Sequence, residues 1–264
     1  MFRLISLLIL VSTLLPTTYY VSTGGSDSND CLSLSTACQS IEAVLLRTLD
    51  GDEVLVEGGT YVENIIIDKG ITLKSLDFLD PATIDGSSLG LSTIIIGSTR
   101  SERINVSIEG MTITGGEGTQ VKYDKDGNGS FTDDIDEVLI AGGGILNVGA
   151  NFTSTKNNIK ENGDNIWGSS GLKSAGGGGM SVLASAIDFD DNDLRNPPDF
   201  NNDDRSRLTL NFNQSTFDDN DADVASSFFG VLSTASFDST TFDVAYIGQA
   251  GQSDGVSEYW IKGD

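Results

Sequence analysis

The chain has 264 residues, with 15 basic and 39 acidic side chains, no histidine and a net charge of −24. A surface of that sign repels nucleic acid and anionic membrane, so neither is an expected partner, and it attracts cations. Without histidine, the usual base of a nucleophilic triad is missing.

Residues 1–18 carry Arg3 followed by an apolar run from Leu4 to Leu15. A membrane-spanning helix needs about 20 such residues, so no transmembrane segment is expected. The run suits the apolar segment of a secretory signal, with small residues at Thr17 and Thr18 for cleavage. The alternative is a buried N-terminal strand or helix. Export leaves 19–264 as a single domain, secreted or at the cell surface. In an oxidising compartment Cys31 and Cys38 are expected to bond, the alternative being two reduced or buried thiols.

Tyr19–Ser22 reads as a short strand, followed by the turn-rich GGSDSND. A helix is expected over 36–49. Thr36 and Gln39 make a capping box, Ile41, Val44, Leu45 and Leu49 share one face, and Asp50-Gly51 stops it. From Glu53 onward come short apolar runs at 54–56, 65–67, 71–73, 93–96, 104–108 and 111–114, each a strand of three to five residues. None of the four prolines interrupts them, and 31 glycines supply turns.

Internal repetition decides the architecture. An apolar residue followed by a polar turn recurs as Ile113 with Gly116, Ile159 with Asn162, Phe189 with Asn192, Phe217 with Asn220, and at Phe242. The last four apolar positions lie 25 to 30 residues apart, and the first gap, of 46, contains an insertion. A second repeated element reads GGGIL at 142–146, GGGGM at 176–180 and FFGVL at 228–232. With no helix between the strands, such repeats cannot build βαβ units; they suit a solenoid in which each strand pairs with its equivalent one coil on. Solenoid ends need caps. The 36–49 helix is placed to cover the N-terminal end. At the other end either Tyr259-Trp260-Ile261 closes the core or the chain is a piece of a longer protein.

The stretch DCLSLSTACQSIEAVLLRTLDGDEVLVEGGTYVENIIIDKGITLKS resembles the opening of secreted proteins of the pectin lyase-like superfamily. The GGGI and FDDN segments resemble adhesin-like and polymorphic outer-membrane-type repeats. The resemblance covers most of 19–250 and implies an all-β, right-handed parallel β-helix with an N-terminal capping helix. It does not specify activity, since the superfamily holds lyases, hydrolases, esterases and non-catalytic surface proteins. Gly59-Thr60-Tyr61-Val62-Glu63 is similar to an early methylesterase motif that belongs to the scaffold; the esterase's catalytic cluster has no counterpart. The polygalacturonase Gly-His-Gly is impossible here, and its Arg-Ile-Lys is absent.

The enzymatic alternative is a calcium-dependent, pectate-type polysaccharide lyase, in which acidic ligands hold calcium against the uronate and a basic residue abstracts the neighbouring proton. Residues 188–207 place Asp190, Asp191, Asp193, Arg195, Asp203, Asp204, Arg205 and Arg207 together. They read either as such a site or as a polar loop marked by Pro197-Pro198.

The sharpest local motif is DKDGNGSFTDDID at 124–136, in an insertion over about 117–140. Asp124, Asp126 and Asn128 stand at positions 1, 3 and 5 of a calcium loop, with Gly129 at the sharp turn, Ser130 at 7 and Thr132 at 9. Position 12 is Ile135, where the bidentate acid belongs, and Asp133, Asp134 or Asp136 is the candidate substitute, with altered geometry and weaker binding. The expectation is a calcium site that stabilises the insertion, against a merely solvated acidic turn. Together these readings predict a calcium-stabilised surface protein with a structural or binding role toward extracellular polysaccharide or a cell-surface component. Such a binder should show exposed aromatic or polar ladders.

Overall fold

The computed structural model describes residues 15–97, 103–123, 137–163, 178–183, 187–189, 208–220, 228–231, 233–242, 246–250 and 258–262. Strand is their dominant regular structure, with helix confined to two short segments. The first sheet stacks Thr18–Val21, Glu53–Val56, Thr72–Ser75, Asn105–Glu109, Asn151–Thr155, Leu208–Asn213 and Ser233–Asp238, every pairing parallel. The second stacks Gly59–Val62, Ala82–Asp85, Thr112–Thr114, Asn158–Lys160, Thr216–Asp218 and Thr241–Phe242, also in parallel. The third stacks Ile65–Ile67, Ile94–Gly97, Ile145–Val148, Met180–Leu183 and Phe228–Val231 in parallel, then adds Glu258–Lys262 and Tyr246–Ala250 antiparallel at its end. The chain visits first, second and third sheet in turn and returns to the first. That path makes it a coiled parallel solenoid.

Alternation along each strand builds the core, because successive side chains point to opposite faces. Val54, Leu73, Ile108, Ser154 and Phe212 form one inward column of the first sheet, all buried. Tyr61, Ile84, Ile113, Ile159 and Phe217 form the corresponding column of the second. The filling changes from aliphatic to aromatic along the axis: Phe212 lies 5.9 Å from Phe152, 5.7 Å from Phe217 and 4.9 Å from Phe237, centroid to centroid. Burying a ring such as Phe152, Phe212 or Phe217 stabilises the fold by about 1.5–3 kcal/mol, whereas Phe237 stays partly exposed at the edge of the stack.

Two tight corners repeat from coil to coil. Between the first and second sheets Gly110, Lys156, Gln214 and Ser239 all take φ between +50° and +66°. Between the second and third, Gly115, Glu161 and Asp219 lie at +73°, +53° and +48°. This left-handed conformation strains most side chains, so it persists only where the stacked strands on both sides impose it. Buried asparagines stitch the corners together. Asn162 Oδ1 accepts from Gly116 N at 3.0 Å, and its Nδ2 donates to Ile113 O and to Asn220 Oδ1. Asn220 Nδ2 donates to Ile159 O at 2.8 Å, one coil on. Asn157 accepts from Met111 N and donates to Ile108 O.

The recurring motifs therefore mark coils, with one correction. Ile113, Ile159, Phe217 and Phe242 follow each other in register, but Phe189 is not among them. The strand Ile187–Phe189 pairs antiparallel with Thr119–Tyr123, which in turn pairs antiparallel with Glu137–Ala141. What reads as two coils between Ile159 and Phe217 is a single coil, whose equivalent corner positions Asn162 and Asn220 are 58 residues apart. Asn192 lies outside the described residues.

The helix also differs from expectation. A 3-10 turn spans Leu34–Thr36 and the α-helix only Ile41–Leu45. Its N-cap is Ser40, whose Oγ accepts from Ala43 N at 3.2 Å, in place of the Thr36–Gln39 box. Glu63 Oε1 and Oε2 accept from Ile41 N and Glu42 N, satisfying further donors of the first turn. Ile41, Val44 and Leu45 are buried, whereas Leu46 and Leu49 are exposed. Cys31 and Cys38 form a disulfide, Cα atoms 5.0 Å apart, and Arg47 closes over that loop by donating to Asp27 O and Asn29 O at 2.6 Å. The expected boundary after Thr18 falls within the first strand, since Thr17 N donates to Asp52 Oδ1 and Thr18 pairs with Glu53. No helix among the described residues is long and apolar enough to cross a membrane.

Candidate functional site

Outward positions of the first sheet obey the same alternation as its core, and over one stretch of four strands they carry hydroxyls and amides. Thr72, Ser107, Thr153 and Asn211 align across four strands. Beside them Asn105, Asn151 and Thr209 form a second column, two residues nearer the start of each strand. Neighbouring positions stand about 4.8 Å apart across strands and roughly 6.7 Å apart along them. Asn151 fixes its column, with Nδ2 donating to Asn105 Oδ1 at 3.1 Å and Oδ1 accepting from Thr209 N at 3.1 Å.

These two columns floor an open groove of about 790 Å³. Its rim comes from the corners that enter the first sheet. Asp50 Oδ1 is held by Gly70 N at 2.7 Å, and Arg103 Nη1 donates to Gly149 O at 3.1 Å. Gly70 keeps the rim low, because a Cβ there would meet the Asn105 backbone at 3.2 Å. Asp50 and Arg103 are the only charged side chains lining the groove among the described residues. Among the described residues, Asp50 is the one carboxylate lining the groove. What the arrangement offers chemically is a regular field of neutral donors and acceptors.

The acidic candidates fall elsewhere. Asp124, Asp126, Asn128, Ser130, Thr132, Asp134 and Asp136 all lie outside the described residues, as do Asp190 through Arg207. The strands that flank them are described. Tyr123 pairs with Glu137, so the 124–136 segment joins the two strands of an antiparallel hairpin. Ile187 stands opposite Tyr123 and Phe189 opposite Val121, so the chain enters 190–207 from the other end of that strand. The hairpin rests on the third sheet. Ser92 Oγ bonds Thr119 Oγ1 at 2.9 Å and donates to Ala141 O, and Gly142 N donates to Ser181 Oγ. The outward Ile95 and Leu146 are buried there, as are Val121 and Ala141 of the hairpin. Among the described residues no group of acidic or cysteine side chains is gathered closely enough to hold a metal.

Two carboxylates near the N-terminus are perturbed in opposite senses. Burial pushes Asp27 up, but bonds from Ser40 N, Gln39 N and Ser40 Oγ, with the Arg47 charge, outweigh it and leave its pKa lowered. Burial dominates at Glu63 and raises its pKa despite the two helix N–H donors. Both groups organise the disulfide loop and helix rather than the groove.

No family model matches the chain, and no curated protein matches it. Among solved structures it is similar to the GH136 lacto-N-biosidase from Eubacterium ramulus in its selenomethionine derivative, with 17% identity over 86% of this chain and a TM-score of 0.41. The native form of the same enzyme gives 18% identity over 77% and a TM-score of 0.39. The match takes in 30% and 27% of those two chains, so this chain spans less than a third of their length.

Proposed function

We propose that the protein is a secreted or cell-surface, right-handed parallel β-helix that binds extracellular polysaccharide along the groove of its first sheet. The observation that carries this reading is the double column of hydroxyl and amide side chains on a rigid parallel sheet. Sugar hydroxyls are both donors and acceptors, and a field of Thr, Ser and Asn meets them without the desolvation cost of buried charge. A groove floored by strands is also pre-organised, so little ordering is lost on binding. The helix Ile41–Leu45 caps the N-terminal end of the core in this account. The apolar run before Leu15 and the Cys31–Cys38 disulfide support export.

Calcium is the proposed stabilising ion, held by Asp124, Asp126 and Asn128, with Ser130, Thr132, Asp134 and Asp136 completing the set. The hairpin supports that reading, because it brings the two ends of the segment together at Tyr123 and Glu137.

Affinity electrophoresis through gels cast with soluble neutral and acidic polysaccharides tests the binding role. Wild-type protein should be retarded in at least one gel, and Thr153→Tyr, which fills the groove while keeping a good strand former, should run freely. Unretarded wild-type protein in every gel refutes the reading. Appearance of unsaturated uronate absorbance with calcium would replace it with a lyase.

A further inference from the structure

Asparagine followed two residues later by serine or threonine, with no proline between, is the acceptor signal for N-linked oligosaccharide in exported proteins. The chain carries it at Asn105, Asn128, Asn151 and Asn213. Asn128 lies outside the described residues. Strand alternation alone produces two of the others. Asn105-Val106-Ser107 and Asn151-Phe152-Thr153 are outward, inward, outward runs of the first sheet. Both asparagines floor the groove, and Asn151 uses both its amide atoms, on Asn105 Oδ1 and on Thr209 N.

Asn213-Gln214-Ser215 has a different origin. Asn213 ends its strand, Gln214 takes the left-handed corner at φ +52°, and Ser215 is buried. Nothing in the repeat calls for asparagine at this position, since the same outward column holds Lys74, Glu109, Thr155 and Asp238. The Asn213 amide bonds no other protein group and is not shielded from solvent. Attaching a sugar at Nδ2 replaces one unused N–H hydrogen, so it disturbs no bond of the fold. Gln214 beside it is exposed, which leaves room at the corner.

We infer that Asn213 is an N-glycosylation site, an inference that rests on the export proposed above. The co-reactant is an oligosaccharide carried on a lipid pyrophosphate. Nδ2 forms a bond to the anomeric carbon as the bond from that carbon to the phosphate oxygen breaks. The amide proton passes to a base of the transferase, and the lipid pyrophosphate leaves. Ser215 sets the timing. Its hydroxyl completes the acceptor signal, yet in the folded protein Ser215 Oγ is buried and bonded to Ser154 Oγ at 2.8 Å. Transfer therefore precedes closure of this corner. The glycan then stands one outward position, about 6.7 Å, beyond Asn211, so it borders the groove and leaves its floor open.

The test is peptide mapping by mass spectrometry of the full chain, exported from cells that N-glycosylate their secreted proteins. Samples are compared before and after an amidase that releases N-linked glycan and leaves aspartate. The peptide holding Asn213 should carry glycan, and the amidase should convert Asn213 to aspartate. Asn213→Gln should be exported with that glycan lost and its melting temperature unchanged. Exported wild-type protein with a bare Asn213 overturns the inference. Protein kept inside the cell with its Met1 end intact overturns export, and this inference with it. Glycan at Asn105 or Asn151 in addition to Asn213 would uphold this inference and contradict the groove reading.

Discussion

Single residues decide whether a coil can close. Phe217 is fully buried between the Ile159 rung and the Phe212 ring, so Phe217→Asp should leave no cooperative unfolding transition in circular dichroism. Asn162 is a subtler case. Replacing it with alanine orphans the Gly116 N–H and the Ile113 carbonyl inside a corner, each at about 1–3 kcal/mol. Urea titration of Asn162→Ala should show a lower midpoint with a retained transition. Asp27 gives a pH signature. Its pKa is lowered on folding, so its contribution is complete above the ordinary aspartate range and is lost as pH falls through the lowered value. Glu63, raised by burial, has the opposite sign: its contribution is present below the ordinary glutamate range and fades as pH rises through the raised value. Melting temperature followed from pH 6 to about 3 should therefore fall less steeply in Asp27→Asn than in wild type. A parallel pair of curves would contradict the role given to its bonds with Ser40 and Gln39.

Elements were legible in the sequence wherever a short apolar run or a strict alternation stood between turn residues. Runs such as Ile94–Ile96 and Asn105–Ile108 identify themselves as strands, and the Gly116, Asn162 and Asn220 turns mark equivalent corners. Ile187–Phe189 misleads because its text, an apolar residue followed by aspartates, matches a coil strand, while its partner is set by pairing with Thr119–Tyr123 that no local pattern encodes. The helix is shorter than its apolar spacing suggests because Asp27 captures the backbone N–H groups of Gln39 and Ser40, delaying the start until Ser40 can cap. The groove escaped notice for another reason. Asn105-Val-Ser107 and Asn151-Phe-Thr153 read as ordinary half-buried strands, and only the register shows that their polar halves align. At the same scale, the proposed calcium site at 124–136 would couple the ion to stability. Melting temperature should rise by several degrees in millimolar calcium, and Asp124→Ala with Asp126→Ala should remove most of that rise. An equal response in the double variant would place the ion elsewhere. The disulfide loop contributes separately: Cys31→Ser with Cys38→Ser should cost on the order of 2–3 kcal/mol in denaturant titrations.

At the scale of the whole molecule, a charge of −24 spread along a narrow solenoid makes self-repulsion a standing cost of folding. Added sodium chloride should raise the melting temperature over the range in which the Debye length falls from about 30 Å to about 8 Å, and level off beyond it. The same field turns anionic polymers away from any face that lacks a bound cation, so the groove should prefer neutral chains. The most direct measurement of the central claim is hydrogen–deuterium exchange with and without a retained soluble polysaccharide. The account predicts added protection in peptides covering 103–107, 151–155 and 208–213, the strands that floor the groove. Protection confined to 124–136 or 190–207, with those three segments unchanged, would contradict it.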